Sequence, residues 1–251
     1  MLNRTITHSF KAAAALALLA MTTTPALAQW TGKGEAGLAL ASGNTDTKSG
    51  NAKLAVARKV DAWEHSAGFA GNYTSDSGTT TAQRFELFGQ SRYNYNPRDF
   101  WYGGARYEDD LFSGFKYQAT LSTGVGRKFI DTDATKFFGQ IGVGYKFFET
   151  DDTIDPDTLL PVPGGSDSSV ALVGAVEYSH QLTDTTTLYD KFNFEAASDN
   201  TFLQNEIGIQ VKMTDRMALA AAFSVRHNTD PPPGFKQTDT LTTLNLVYEV
   251  K

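Results

Sequence analysis

The chain has 251 residues, 22 Lys+Arg against 28 Asp+Glu, a formal net charge of −6 and no cysteine. That acidic balance argues against a general nucleic-acid binder, which would present a basic face. The lack of cysteine excludes a disulfide framework, a thiolate-bound metal and a cysteine nucleophile.

The first 28 residues stand apart from any fold. Arg4 and Lys11 give a positive start, Ala12 to Met21 form an apolar run, and Ala26 and Ala28 place small residues just before Gln29. This is the pattern of a secretory signal peptide over 1–28, leaving 29–251 as the mature domain. The apolar run is ten residues long, about half of what a helix needs to cross a bilayer.

Beyond Gln29 the helical period is absent and a period of two takes over, the mark of strands with one apolar face. It predicts twelve strands, at 30–41, 47–59, 63–73, 81–93, 100–109, 115–129, 136–148, 170–182, 186–197, 202–213, 217–228 and 237–250. In the sixth, Tyr117, Ala119, Leu121, Thr123 and Val125 alternate with Gln118, Thr120, Ser122, Gly124 and Gly126. In the seventh, Ile141, Val143, Tyr145 and Phe147 alternate with Gln140, Gly142, Gly144, Lys146 and Phe148. In the tenth, Leu203, Ile207, Ile209 and Val211 alternate with Gln204, Glu206, Gly208, Gln210 and Lys212. Strands this long exceed the usual five or six residues and match the 9–11 or so that a tilted strand needs to span a bilayer. An open sheet would leave unpaired backbone groups in lipid, so the set must close. The expected fold is an all-β, antiparallel, up-and-down transmembrane β-barrel of about 12 strands.

The connections support one orientation. Residues 60–62, 94–99, 130–135, 183–185 and 214–216 form the periplasmic set, whereas 74–80, 110–114, 149–169 and 229–236 form most of the outer set. Trp30, Trp63 and Trp101 each open an odd-numbered strand, which puts them together at the periplasmic membrane interface, where indole sits well. A soluble all-β protein would invert the faces; strand length and tryptophan placement favour the membrane reading.

Several stretches resemble a known family. Trp30-Thr-Gly-x-Gly-Glu35, the turn Ser42-Gly-Asn-Thr45, and Arg106-Tyr-Glu-Asp-Asp110-x-Phe112-Ser-Gly114 followed by Tyr117-Gln118 resemble the YdiY-type salt-induced outer-membrane proteins, a domain of unknown function (481). The resemblance implies a barrel in the outer membrane of a Gram-negative bacterium and no established catalytic residues. It also implies a terminal aromatic residue read by the barrel-assembly machinery, whereas here Tyr248 is followed by Glu249-Val250-Lys251. Expected partners are outer-membrane lipid, lipopolysaccharide and that machinery during biogenesis. A monomer with no nucleic acid, metal or cofactor is expected.

On the polar face lie Glu35, Lys53, Arg84, Glu86, Arg92, Arg106, Glu108, Lys116, Lys128, Lys146, Glu177, Lys191, Glu195, Glu206, Lys212 and Arg226. Hairpin register sets Glu35 opposite Lys53, and Glu108 near Lys116. These charges fit an ion-lined channel or a neutralised plug, since opposite charges across a ladder stabilise by about 0.2–1 kcal/mol per pair. Inward glycines, Gly126, Gly142 and Gly208 among them, are expected to leave room, and the 149–169 loop to fold inward. Acidic outer residues, including Asp46, Asp155, Asp157 and Asp199, read as a solvated, repelling surface. The competing class is a barrel enzyme of protease or lipase type, with His227 beside Asp109, Asp110 or Asp230 at the outer rim. No triad motif supports it.

The mature protein is expected to begin at Gln29. Intact-mass analysis of outer-membrane material checks this; retention of residues 1–28 would refute both the leader and the export route.

Overall fold

A computed structural model of the protein describes residues 30–41, 47–154, 159–198, 200–232 and 235–250. The leader over 1–28, the turn at 42–46, and Asp155, Asp157 and Asp199 lie outside the described residues.

Alternation dictates strands throughout, and strands are what form. They are β1 (Trp30–Ala41), β2 (Thr47–Val60), β3 (Trp63–Asp76), β4 (Thr79–Asn94), β5 (Asp99–Asp110), β6 (Phe115–Asp131) and β7 (Thr135–Thr150). After a short ribbon of β8 (Thr153–Ile154) and β9 (Pro161–Val162) come β10 (Ser166–Gln181), β11 (Thr186–Ala197), β12 (Thr201–Lys212), β13 (Met217–Asn228) and β14 (Thr238–Val250). Leaving out the ribbon, each strand pairs antiparallel with the next, and β14 returns to β1, closing a twelve-stranded barrel.

The faces are inverted relative to a soluble protein. Along β7, Ile141, Val143, Tyr145 and Phe147 are exposed while Lys146 and Phe148 are buried in the interior. Along β13, Leu219 and Phe223 face out while Ala218, Ala220 and Ala222 face in. An exterior carrying Leu54, Val56, Leu87, Leu121, Leu172 and Leu246 in the open is far larger than the apolar patches that soluble monomers tolerate. Its solvent is lipid.

Aromatic rings gather at both ends of that apolar band. At the periplasmic end the Arg58 guanidinium lies 5.6 Å over the Trp30 ring, and Trp63 packs 5.0 Å from Tyr93. At the outer end Tyr107 stacks on Tyr117 at 6.1 Å, and Tyr145 meets Phe147 at 4.8 Å. The amphipathic rings sit where one edge can be wet.

The structure corrects four expectations. Residues 74–80 are not a long outer loop: β3 and β4 extend to a two-residue turn at Ser77 and Gly78, with φ of 50° and 82°. Two successive left-handed residues match the strand twist, and glycine accepts that conformation freely. The third outer hairpin carries a bulge between Glu108 and Asp110, so Glu108 faces Gln118 and not Lys116. Both ends of the 149–169 segment belong to strands, because Ser166 to Ser169 pair with β7 up to Glu149. The inward glycines make way for rings: a Cβ on Gly126 would strike Phe100, and one on Gly208 would strike Tyr189.

Replacing Gly78 by alanine should cost about 1 kcal/mol of stability, the penalty for a left-handed alanine in otherwise open space, read from denaturant unfolding in detergent. The folded barrel should give a β-dominated circular dichroism spectrum and migrate differently on a gel before and after boiling. A helical spectrum from detergent-free monomer would contradict the fold.

Candidate functional site

Strand β5 builds the centre of the lumen. Its alternation turns Arg106 and Glu108 inward together, one pleat apart, and strands β4, β11 and β13 supply their partners. Arg106 donates through Nε to Glu86 at 2.8 Å and through Nη1 to Glu195 at 3.3 Å, and it also pairs with Glu108. Glu108, only 1% exposed, accepts from Arg226 as well. Arg226 Nη1 donates to Asp110 at 3.0 Å. Thr120 Oγ1 completes the set by donating to Glu195 at 2.9 Å.

This cluster crosses the barrel. In the ring, β13 lies six places from β5, diametrically opposite in a barrel of twelve. Arg226 therefore reaches Glu108 and Asp110 through the axis. Phe202 lies under both guanidiniums, 4.9 Å from Arg106 and 5.1 Å from Arg226. Burying a charge is tolerable only when it is paired and hydrogen-bonded, and here Glu108 has two guanidinium donors. Arg84 is held more loosely, 3.4 Å from Glu86 and 3.8 Å from Glu108. Its Nε and Nη1 donate no hydrogen bond among the described residues.

Two further groups line the lumen. On one wall Lys53 pairs with Glu206, four places round the ring, while Lys33 pairs with Glu35 at 2.9 Å and donates to Gln210 at 2.8 Å. Glu35 and Lys53 do sit opposite each other in the ladder, yet each finds a nearer partner. Towards the periplasm Arg92 lies 4.9 Å from the Phe100 ring and 4.3 Å from Phe138, and Lys128 donates to Glu64 and Asn94 at 3.1 and 3.0 Å.

What remains open is a cavity of about 680 Å³. Of the sequence-predicted lumen residues, Glu35, Lys53, Arg84, Glu86, Arg92, Arg106, Glu177, Lys191, Glu195, Glu206 and Arg226 line it. Glu108 is buried inside the cross-lumen cluster, and Lys146 is buried beside the Phe115 and Phe148 rings. Lys212, opposite Ala218, is at the exposed periplasmic end of its face. Lys116 is a correction: the bulge carries it to the rim, where it donates to Glu149 at 2.6 Å, on the face opposite Phe148.

The loop over the mouth also differs from expectation. Ile154, Pro161 and Val162 of the ribbon do not line the cavity. The β13–β14 connection instead reaches the β5–β6 turn on the opposite wall: a Cβ on Gly114, itself at φ 78°, would lie 2.8 Å from the Phe235 ring and 2.9 Å from Pro232.

His65, His180 and His227 bond through Nδ1 to Ser91, Thr135 and Thr238, at 2.8, 2.8 and 2.9 Å. His227 is on the outward face, in register with Leu203, whereas Asp110 points inward to Arg226. Sequence reasoning missed a polar pair on the outer wall, where Asn205 donates to Asp190 at 2.6 Å. The signal was present, since period two sets Asp190 with Leu188 and Phe192 on the apolar face of β11.

Comparison with known proteins agrees with this architecture. The uncharacterized protein YdiY of Escherichia coli (strain K12) is 27% identical over 218 residues, 86% of this chain and 81% of its own length. The translocator domain of autotransporter NalP from Neisseria meningitidis superposes with a TM-score of 0.51 at 12% identity, covering 96% of this chain and 95% of its own. An outer membrane channel from Pseudomonas putida F1 also gives 0.51 at 12% identity, covering 88% and 96%. At such identity these two likenesses concern the fold alone. The model of the DUF481 family, proteins of unknown function, matches residues 34–250, and the chain belongs to that family.

Proposed function

We propose that the protein is an outer-membrane barrel offering ions and small polar solutes a narrow passage, interrupted in its outer half by ion pairs. One observation carries the reading: a charged cavity of about 680 Å³ crossed on its axis by Arg226, Glu108 and Asp110. A purely structural barrel could fill its lumen with packed side chains, as eight-stranded barrels do. This one keeps a polar void.

The lining sets expectations for selectivity. Lys33, Lys53, Arg84, Arg92, Arg106, Lys191 and Arg226 face Glu35, Glu86, Asp110, Glu177, Glu195, Glu206 and Asp239. Seven cations against seven acids make a lumen of no dominant sign, so strong preference for either ion class is not expected. Export through the 1–28 leader, insertion by the barrel-assembly machinery, and contact with lipopolysaccharide at the outer rim complete the reading. It assigns no catalytic role to any residue.

Single-channel recording in a planar bilayer tests it. Wild-type protein should give small discrete conductance steps. The double variant Glu108→Gln/Arg226→Gln removes the cross-axis pair and leaves Arg106 bonded to Glu86 and Glu195; its steps should be larger. Arg226→Ala alone should instead destabilise the barrel by about 3–5 kcal/mol, because it weakens the pairing of a buried carboxylate. Silence from both wild type and double variant, with folded mobility on unboiled gels, would leave a plugged structural barrel.

A further inference from the structure

The ring is not closed equally all the way round. Eleven of its twelve ladders hold eleven to fifteen residue pairs each. Among the described residues the β1–β14 ladder holds five, from Gly32–Val250 to Ala36–Leu246. Both strands continue outward past that point. β1 stays paired to β2 as far as Ala41–Thr47, and β14 stays paired to β13 as far as Thr238–His227. Each lip of the gap is therefore a strand anchored on its other side, not a frayed end.

Burial changes at the same level. From Leu244 to Tyr248, exposed Leu244, Leu246 and Tyr248 alternate with buried Asn245 and Val247. In the outer half, Thr238 to Thr242 are exposed in succession, on both faces of the strand. Leu241, on the inward face opposite Ser224, is among them and lines the cavity.

The base of the gap is built. Asn51 Nδ2 donates to Asn245 Oδ1 at 2.9 Å, and Asn245 Nδ2 donates to Glu35 at 3.3 Å. This latch passes over Gly37, where a Cβ would lie 2.3 Å from Asn245 Oδ1 and 2.5 Å from Asn51 Oδ1. The slot begins directly above it. Along β1 it runs for the four residues 38–41, about 13 Å at 3.3 Å per residue, close to the half-thickness of a hydrocarbon core about 30 Å deep.

We propose that this slot is a lateral portal between the lumen and the outer leaflet, and that it takes an amphiphile with one hydrocarbon chain and a polar head. Unpaired strand edges are costly in hydrocarbon, so the slot must hold water or a polar ligand along the edges of β1 and β14. On its membrane side stand Leu38 and Leu244, 76% and 62% exposed. On its luminal side are Leu241, Asp239 and Lys53. Hydrocarbon thus gives way to charge within the thickness of one strand. A molecule with both characters gains on both sides: its chain lies between the leucines and its head enters the charged cavity. The portal is a second route, independent of whether the lumen conducts ions along its axis.

The chain has no cysteine, so an engineered pair is unambiguous. Leu38 and Leu244 would be the next outward-facing partners if the ladder continued in register. The test uses full-length barrel in phosphatidylcholine vesicles, a diazirine-bearing dodecanoic acid as probe, and mass spectrometry of the labelled peptides. Wild type should be labelled on luminal residues around Leu241 and Lys53. Oxidised Leu38→Cys/Leu244→Cys should lose that labelling and regain it on reduction, with axial conductance unchanged. Leu241→Trp, which fills the slot without a cross-link, should also lose it, and serves alone if the disulfide fails to form. Luminal labelling that persists in Leu241→Trp, or labelling of wild type confined to the outer face, would overturn the portal. Recovery of a polypeptide paired along 238–244 would make the edge a strand-docking site and overturn the amphiphile reading equally.

Discussion

Backbone hydrogen bonding in a medium without water is the constraint on which the rest depends. Each unsatisfied N–H or C=O in hydrocarbon costs several kcal/mol, so twelve strands must form a ring before any side chain matters. Ring formation fixes which residues meet. It brings β1 against β14 across the length of the chain, and it puts β5 directly across from β13. With the exterior given to lipid, the polar face has only the lumen to occupy.

Inside, charge takes the place that apolar packing holds in a soluble domain. Ionised groups resist leaving water, and at the centre of the lumen they do so in clusters: Arg106 touches three carboxylates, and Glu108 two guanidiniums. Aromatic rings share the work. Phe202 lies beneath two arginines, and Phe100 and Phe138 flank Arg92. A thin apolar cluster of Ala218, Ala220 and Val247 lies beside the seam.

The outer wall follows the lipid rule with one marked exception. Asp190 and Asn205 sit among Leu188, Phe192 and Ile207, and they satisfy each other at 2.6 Å. A lone carboxylate on that face would be strongly destabilising; donation by the amide lowers the cost. The interfacial histidines behave likewise, each bonding to a hydroxyl on the neighbouring strand.

Much of this architecture is legible in the amino-acid sequence, because strand periodicity is a local property. The twelve segments, the inward and outward faces and the tryptophan girdle all follow from neighbours two residues apart. Residues 63–73 and 217–228 can be read directly from alternation, as can most of the inward set from Glu35 to Arg226. Long-range partners cannot. Glu35 stands opposite Lys53 as hairpin register requires, yet Lys53 bonds Glu206 because the lumen is narrow enough for side chains of β2 and β12 to touch. A bulge at Glu108 and Asp110 moves Lys116 to the rim, and no composition signal marks a bulge. The shortened β1–β14 ladder is equally hidden, since nothing in either strand's own sequence records how far its partner stays beside it. Alternation, strand length and tryptophan placement along the chain determined that this protein is a barrel and which face lines its lumen. Closure in three dimensions decided which charges pair across the axis and where the wall is left open, because those contacts join residues that no local pattern relates.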